Sequence, residues 1–279
     1  MTYPLFPNLF WIFFVVALVC CSIGFKRFVW FMSVGYGLAS AGIGLTMFIV
    51  AIINKNFNIL FLIQCILFVV YGIRLGGFLL IRELKNESYR KKMAEVGGDV
   101  KMPFFVSFVM WITFGAMYVC QSASPIYRLL NNADNNLALV IGIITSLIGI
   151  IIETVADRQK SNAKLVRPDM PAMDGLYKMC RCPNYFGEIL FWTGSLISGI
   201  GGAHGAQWIL VIVGYILIVI VMMSGAKRVE TRHIKHYGEI QEYITYSDTT
   251  PLIIPFVPLY HMTSKEKIIE EENKKKNKK

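Results

Sequence analysis

A chain of 279 residues that is 55% hydrophobic and 16% charged, with its charges gathered into blocks between long apolar runs, has the composition of a polytopic membrane protein. The net charge of +10 raises nucleic acid as a partner, but the basic residues flank apolar runs and sit in short loops, where membrane topology and anionic headgroups account for them. No stretch between the runs is long enough for a soluble catalytic domain, so an active site has to be built from the membrane segments and their ends.

A spanning helix needs roughly 20 predominantly apolar residues. Seven candidates follow in chain order: Leu5 to Ile23, Phe28 to Ile53, Phe57 to Ile73, Pro103 to Ser122, Leu137 to Val155, Pro183 to Ile200 and Gln207 to Met223. With seven spans, 26 of the 28 Lys and Arg fall on one side, only Lys55 and Arg128 being left on the other. The positive-inside rule then predicts an all-α membrane protein with its N-terminus outside and its C-terminus cytoplasmic. The expected organisation is one seven-helix domain over residues 1–262 and a charged tail over 263–279. The first span has no basic residues ahead of it and no small-residue cleavage site, so it reads as a retained helix. Glu83 to Met102 and the residues after Met223 read as charged connectors.

The third span carries VVYGIRLGG, in which Tyr71 and Arg74 are three apart and share a helix face, while Gly72, Gly76 and Gly77 permit close approach of a helix or ligand. The fifth ends in IIETVADRQKSNAK, where Glu153 and Asp157 are four apart and Arg158, Lys160 and Lys164 follow. Ion pairs at an interfacial helix end would explain much of this, but Glu153 directly follows ITSLIGIII, and a carboxylate at that depth is expensive. The sixth span opens with RCPNYFGEIL. Pro183 suits a first helical position, which puts Asn184 and Glu188 on one face, with Tyr185 beside them and Arg181 just ahead. Two successive spans thus offer carboxylates, an amide and cations at one depth: Arg and Lys suit phosphates, carboxylates and amides suit sugar hydroxyls and base edges. That is a site for a polar, anionic cofactor serving a lipid substrate from the bilayer.

GIGGAHG, Gly199 to Gly205, resembles part of a dinucleotide-binding glycine loop, but it joins two membrane helices instead of following a strand and reads as a tight turn. The residues AKRVETRHIKHYGEIQEY form a basic amphipathic segment suited to headgroups or to a cofactor lid, and EKIIEEENKKKNKK is a charge-block tail. Of six cysteines, Cys20, Cys21, Cys65 and Cys120 lie in spans, while Cys180 and Cys182 lack a second pair of ligands for a metal. Neither a disulfide framework nor a metal site follows.

ADRQK at Ala156 to Lys160, RCPNYFGE at Arg181 to Glu188, the basic helix ending in Tyr243 and the TPLIIP segment at Thr250 to Pro255 together resemble the membrane-bound steroid 5α-reductase superfamily, most closely its DUF1295 members. The resemblance covers roughly the last 130 residues well and RLGGFLLIR at Arg74 to Arg82 moderately. It implies a seven-helix fold that holds NADPH in a cytoplasm-facing cavity and reduces a polarised carbon–carbon double bond in a lipid, in the endoplasmic reticulum of a eukaryote or the inner membrane of a bacterium. By the resemblance, Glu153, Asp157, Asn184 and Glu188 stand at cofactor contacts, Arg228 at a basic residue facing the phosphates, and Tyr71 where a tyrosine polarises the substrate carbonyl. Arg74, Arg181 and Tyr185 complete the expected cofactor set. Two positions depart. The second span has no Glu, where the steroid reductases carry a Gln-Glu pair, and Cys182 replaces the family His.

A membrane methyltransferase of the isoprenylcysteine or phospholipid type, using S-adenosylmethionine, shares a similar helix start, and HYGEIQEYITY at His236 to Tyr246 resembles its tail. ADRQK and the Glu directly after NYFG favour the reductase. A non-catalytic lipid-binding relative is the third reading. A transporter is disfavoured by the lack of a repeat.

Overall fold

The computed structural model describes residues 3–55, 58–85, 102–134, 136–264 and 268. Helix makes up 76% of the structure, and no strand occurs among the described residues. An apolar run in lipid has to satisfy its backbone hydrogen bonds within itself, and a helix does so. In chain order the helices are α1 (Phe10–Cys21), α2 (Val34–Ile53), α3 (Ile59–Lys85), α4 (Phe104–Gln121), α5 (Ala123–Leu130), α6 (Asn136–Val166), α7 (Pro183–Ser198), α8 (Gln207–Tyr237) and α9 (Gln241–Thr249).

Each of the seven apolar runs is helical. Five lie in helices long and apolar enough to cross a membrane: α2 with the 3-10 turn before it, α3, α4, α6 and α8. The other two, α1 with 12 residues and α7 with 16, are shorter. On α6 the residues Leu137, Ile141, Ile144, Ile148, Ile151 and Val155 are all exposed at a spacing of three and four, which gives one face of bare hydrocarbon. Ile209, Ile212, Ile216 and Ile220 do the same on α8. Such stripes belong against lipid, and the chain has the helices of an integral membrane protein.

Several helices outrun their apolar stretch. α3 continues to Lys85, α6 to Val166 and α8 to Tyr237, because the apolar run ends at the bilayer edge whereas the hydrogen-bonded helix need not. Glu83 is therefore a buried helical residue instead of the start of a connector; it accepts hydrogen bonds from Arg27 and from Trp30 Nε1. Residues 86–101 of that connector, the first residue of the third apolar run, Phe57, and most of the charged tail lie outside the described residues. α1 starts at Phe10, five residues later than the apolar run, since Pro4 and Pro7 cannot donate within a helix. α5 has no counterpart in the sequence reading. Its eight residues are too few to span, yet Ala123 to Leu129 are all buried.

By their internal contacts the residues form two compact units, Met1–Ser146 with Trp192–Leu217 and Leu147–Phe191 with Ile218–Lys279, where the sequence reads as one domain over 1–262. In the first unit α2 and α3 touch backbone to backbone. A Cβ on Gly37 would lie 2.5 Å from Gly76 N, and one on Gly72 would overlap Gly37 O. In the second unit α6 and α7 cross in the same way, a Cβ on Gly187 falling 2.7 Å from both Glu153 N and Gly149 O. The Gly199 to Gly205 segment is the expected turn, closed by Gly202 N–H to Gly199 O at 2.8 Å.

Candidate functional site

The second unit holds most of the predicted residues. Pro183 begins α7, and the Cys182 carbonyl accepts the N–H groups of Tyr185 and Phe186 at 3.1 Å each, so the helix start lies where the proline predicted it. The α6/α7 crossing at Gly187 sets Glu153 against α7. Glu153 is 3% and Glu188 5% exposed, which is deep burial for two carboxylates. In ADRQK, Ala156 packs with Ala172 and Tyr177, and Gln159 Oε1 accepts the Leu176 N–H at 2.9 Å beside Gly175, whose φ is +66°. The motif's small and amide residues thus hold the loop between α6 and α7, and Asp157 and Lys160 beside them are half-buried.

That loop closes a narrow crevice lined by Lys160, Lys164, Arg181, Asn184, Tyr185 and His233, among others. Its volume, 20 Å³, is room for about one water. Lys164 Nζ donates to Met170 O at 2.7 Å and to Tyr237 Oη at 3.0 Å. The Tyr185 ring packs over Gly225 of α8. Arg228 lies outside this crevice. It is exposed on α8 and lines an open depression of 530 Å³ together with Lys227, Arg232, Lys235, Ser224 and Thr231.

Arg181 is more engaged than the sequence suggests. Its Nη2 donates to Glu230 Oε1 at 3.0 Å and to Tyr260 O, and its own N–H donates to Pro251 O at 2.8 Å. Glu230 also accepts from Met262 N–H at 3.0 Å and meets His261 Nδ1 at 3.1 Å, while His261 Nε2 lies 2.9 Å from Asp248 Oδ1. The ion pair is buried, with side chains 5% and 0% exposed. It knits the start of α7, the C-terminal third of α8 and the segment after α9 together. The guanidinium charge is answered by Glu230.

Burial pushes the Cys182 thiol up to about 11 and the Cys180 thiol up to about 12, both far above the usual cysteine range. At neutral pH both are uncharged thiols, neither nucleophiles nor ready metal ligands. Both are expected to resist iodoacetamide in the folded protein at neutral pH and to react once it is denatured, as peptide mass spectrometry would show. Alkylation of Cys182 in the native state would place the helix start in solvent instead.

Tyr71 and Arg74 belong to the first unit. Tyr71 is fully buried, and its hydroxyl lies 2.8 Å from that of Tyr36, which in turn accepts the Trp192 indole N–H at 2.6 Å. Indole only donates, so the Tyr36 oxygen is the acceptor of that bond. Arg74 is half-buried, just under one turn further along α3. Tyr36 escaped the sequence reading because the second span shows no signal beyond its apolar length; the glycine crossing of α2 and α3 is what brings it to Tyr71.

A family model described as a protein of unknown function, DUF1295, matches residues 13–250. The chain belongs to the DUF1295 family. No curated protein and no solved structure matches it. The DUF1295 match spans every predicted site residue from Tyr71 to Arg228, and it reaches across both compact units. It also takes in the first two spans, where the sequence resemblance is to hydrophobic helices only.

The residues fit a phosphorylated dinucleotide by the chemistry of their donors. Lys160, Lys164 and Asn184 line the crevice and Arg228 and Arg232 line the depression, donor types that suit phosphates and ribose hydroxyls, whereas Glu153, Asp157 and Glu188 line neither. The crevice alone is too small for a nucleotide, whereas the open depression on α8 has room for one.

Proposed function

We propose that this DUF1295 protein is an integral membrane oxidoreductase of the steroid 5α-reductase superfamily, with seven spans and a cytoplasmic C-terminus, that uses NADPH to reduce an activated carbon–carbon double bond in a lipid. The membrane is that of the endoplasmic reticulum in a eukaryote, or the inner membrane in a bacterium. The observation that carries this reading is the second unit's crevice, where Lys160, Lys164, Asn184 and Tyr185 converge.

NADPH, when bound, supplies the hydride. Lys160, Lys164 and Arg228 bind and orient its phosphates, and Asn184 and Glu188, on one face of α7, hold its hydroxyls. Burial of Glu153 and Glu188 excludes water from that wall. Tyr71 donates a hydrogen bond to the carbonyl oxygen of the lipid and stabilises the negative charge that develops there as the β-carbon is reduced. Tyr36 orders the Tyr71 hydroxyl through their contact at 2.8 Å.

The test is a titration of the detergent-purified protein. NADPH should raise its melting temperature by mass action, and S-adenosylmethionine should not. A shift with S-adenosylmethionine alone would transfer the protein to the methyltransferases, and a shift with neither would make it a non-catalytic lipid binder.

A further inference from the structure

The basic depression on α8 has two sides, and the cofactor reading uses only one of them. Neighbouring residues of an α-helix are turned by about 100°, so Arg228 and Arg232 point away from the face of Lys227 and Thr231. Ser224, Lys227, Thr231 and Lys235 all line the depression, and they follow one another at steps of three and four, which places them on one face. The same steps lead back to Ile220 and Ile216, which are 54% and 49% exposed in the lipid-facing stripe of α8. A molecule lying along the isoleucines therefore meets Ser224 and Lys227 next.

The depth of that meeting point follows from the helix rise. The apolar run of α8 ends at Met223. At 1.5 Å per residue, Lys227 lies about 6 Å beyond it and Thr231 about 12 Å, and side chains of a helix lean back towards its N-terminus. The headgroup layer of a bilayer is about 5–8 Å thick on each side. Lys227 thus stands at the depth of lipid phosphates.

The chemistry of the face agrees with its depth. The depression has a volume of 530 Å³, and no carboxylate is among its lining residues. Ser224 and Lys227 are exposed, and among the described residues no hydrogen bond or ion pair engages the Ser224 hydroxyl or the Lys227 ammonium. Thr231 Oγ1 donates to Lys227 O at 2.9 Å, which leaves Ser224 and the two lysines as the donors. An ammonium is a compact charge that a phosphate oxygen can approach from several directions. Two lysines on one face match the two negative charges of a phosphomonoester, whereas a choline headgroup brings a cation of its own into the same field.

We infer that Ser224 and Lys227, with Lys235 adding positive charge, form a seat for the phosphomonoester headgroup of an anionic membrane phospholipid, whose acyl chains lie along the Ile216 and Ile220 face of α8. The inference needs only that α8 crosses a bilayer. It holds whether or not the protein uses NADPH.

The experiment loads the full-length protein, in micelles of an uncharged detergent, with equal amounts of phosphatidic acid and phosphatidylcholine of the same chains. Native mass spectrometry then counts which lipid stays bound. Phosphatidic acid should be retained over phosphatidylcholine by about tenfold or more, and Lys227→Gln should lower that ratio about fivefold, the contribution of one basic residue at an anionic surface. Lys227→Gln with Lys235→Gln should bring it close to one. Lys26→Gln, which removes an exposed cation between α1 and α2, should leave the ratio unchanged. Equal retention of the two lipids by the wild type overturns the inference. So does a preference that survives the double substitution, and so does an equal loss in Lys26→Gln, which would trace the preference to net charge. Glycerol 3-phosphate raising the melting temperature as much as phosphatidic acid at the same concentration would overturn the lipid as the source of the phosphate. NADPH should bind Lys227→Gln as it binds the wild type, because the cofactor reading places its phosphates on Lys160, Lys164 and Arg228, so failure of this seat and failure of the cofactor reading are told apart.

Discussion

Glu230→Ala should destabilise the protein by about 3–5 kcal/mol, the effect expected when one member of a buried ion pair is removed and the other stays behind. Arg181 would be left with a 5% exposed guanidinium and no carboxylate, and Met262 N–H and His261 would lose their acceptor at the same time. The melting temperature in detergent should fall by an amount of order 10 °C. Limited proteolysis should reach the segment after α9, because Glu230 is what holds Tyr260 to Met262 against α8 through Arg181 and directly. The double variant Arg181→Met with Glu230→Leu should recover most of the loss, since replacing both charges leaves neither stranded. If Glu230→Ala melts with the wild type, the pair is not the clasp of this unit.

The second large effect is on the cofactor. Glu188→Gln should weaken NADPH binding by about 10- to 100-fold, the range of a hydrogen bond to a charged group, and Asn184→Ala by about 3- to 10-fold. Both residues lie on one face of α7, and Glu188 is the deeper and more buried. Glu188→Gln keeps the shape of the side chain and Asn184 is only half-buried at the helix start, so both variants should fold, which circular dichroism and unchanged size-exclusion behaviour would confirm. Unchanged affinity in both would remove α7 from the cofactor site and with it the main support for an NADPH enzyme.

Much of the local geometry of the candidate site was legible because α-helical spacing is local. Pro183 marked the start of α7, so Asn184 and Glu188 fell on one face without any knowledge of what α7 packs against. The depth of Glu153 was readable from the apolar run before it. Arg181 shows the limit. Its motif position marked it as a phosphate contact, but its partner Glu230 is 49 residues further along, and nothing in either local pattern pairs them. The same holds for Gln159 in ADRQK, whose task of holding Leu176 depends on the positive φ of Gly175.

By itself the sequence determined the class of this protein: all-helical, membrane-embedded, with a polar wall at the start of the sixth apolar run. Apolar length and the 3.6-residue period decide those properties, and both are carried by neighbours in the chain. Only the tertiary structure decided that the contacts divide into two units, that Tyr71 meets Tyr36 and Trp192, and that Gln64 reaches Ser198, 134 residues further along. Those pairings rest on which glycines let two backbones touch and on how deep each helix sits beside the next. An apolar span looks the same in sequence whichever neighbour it packs against.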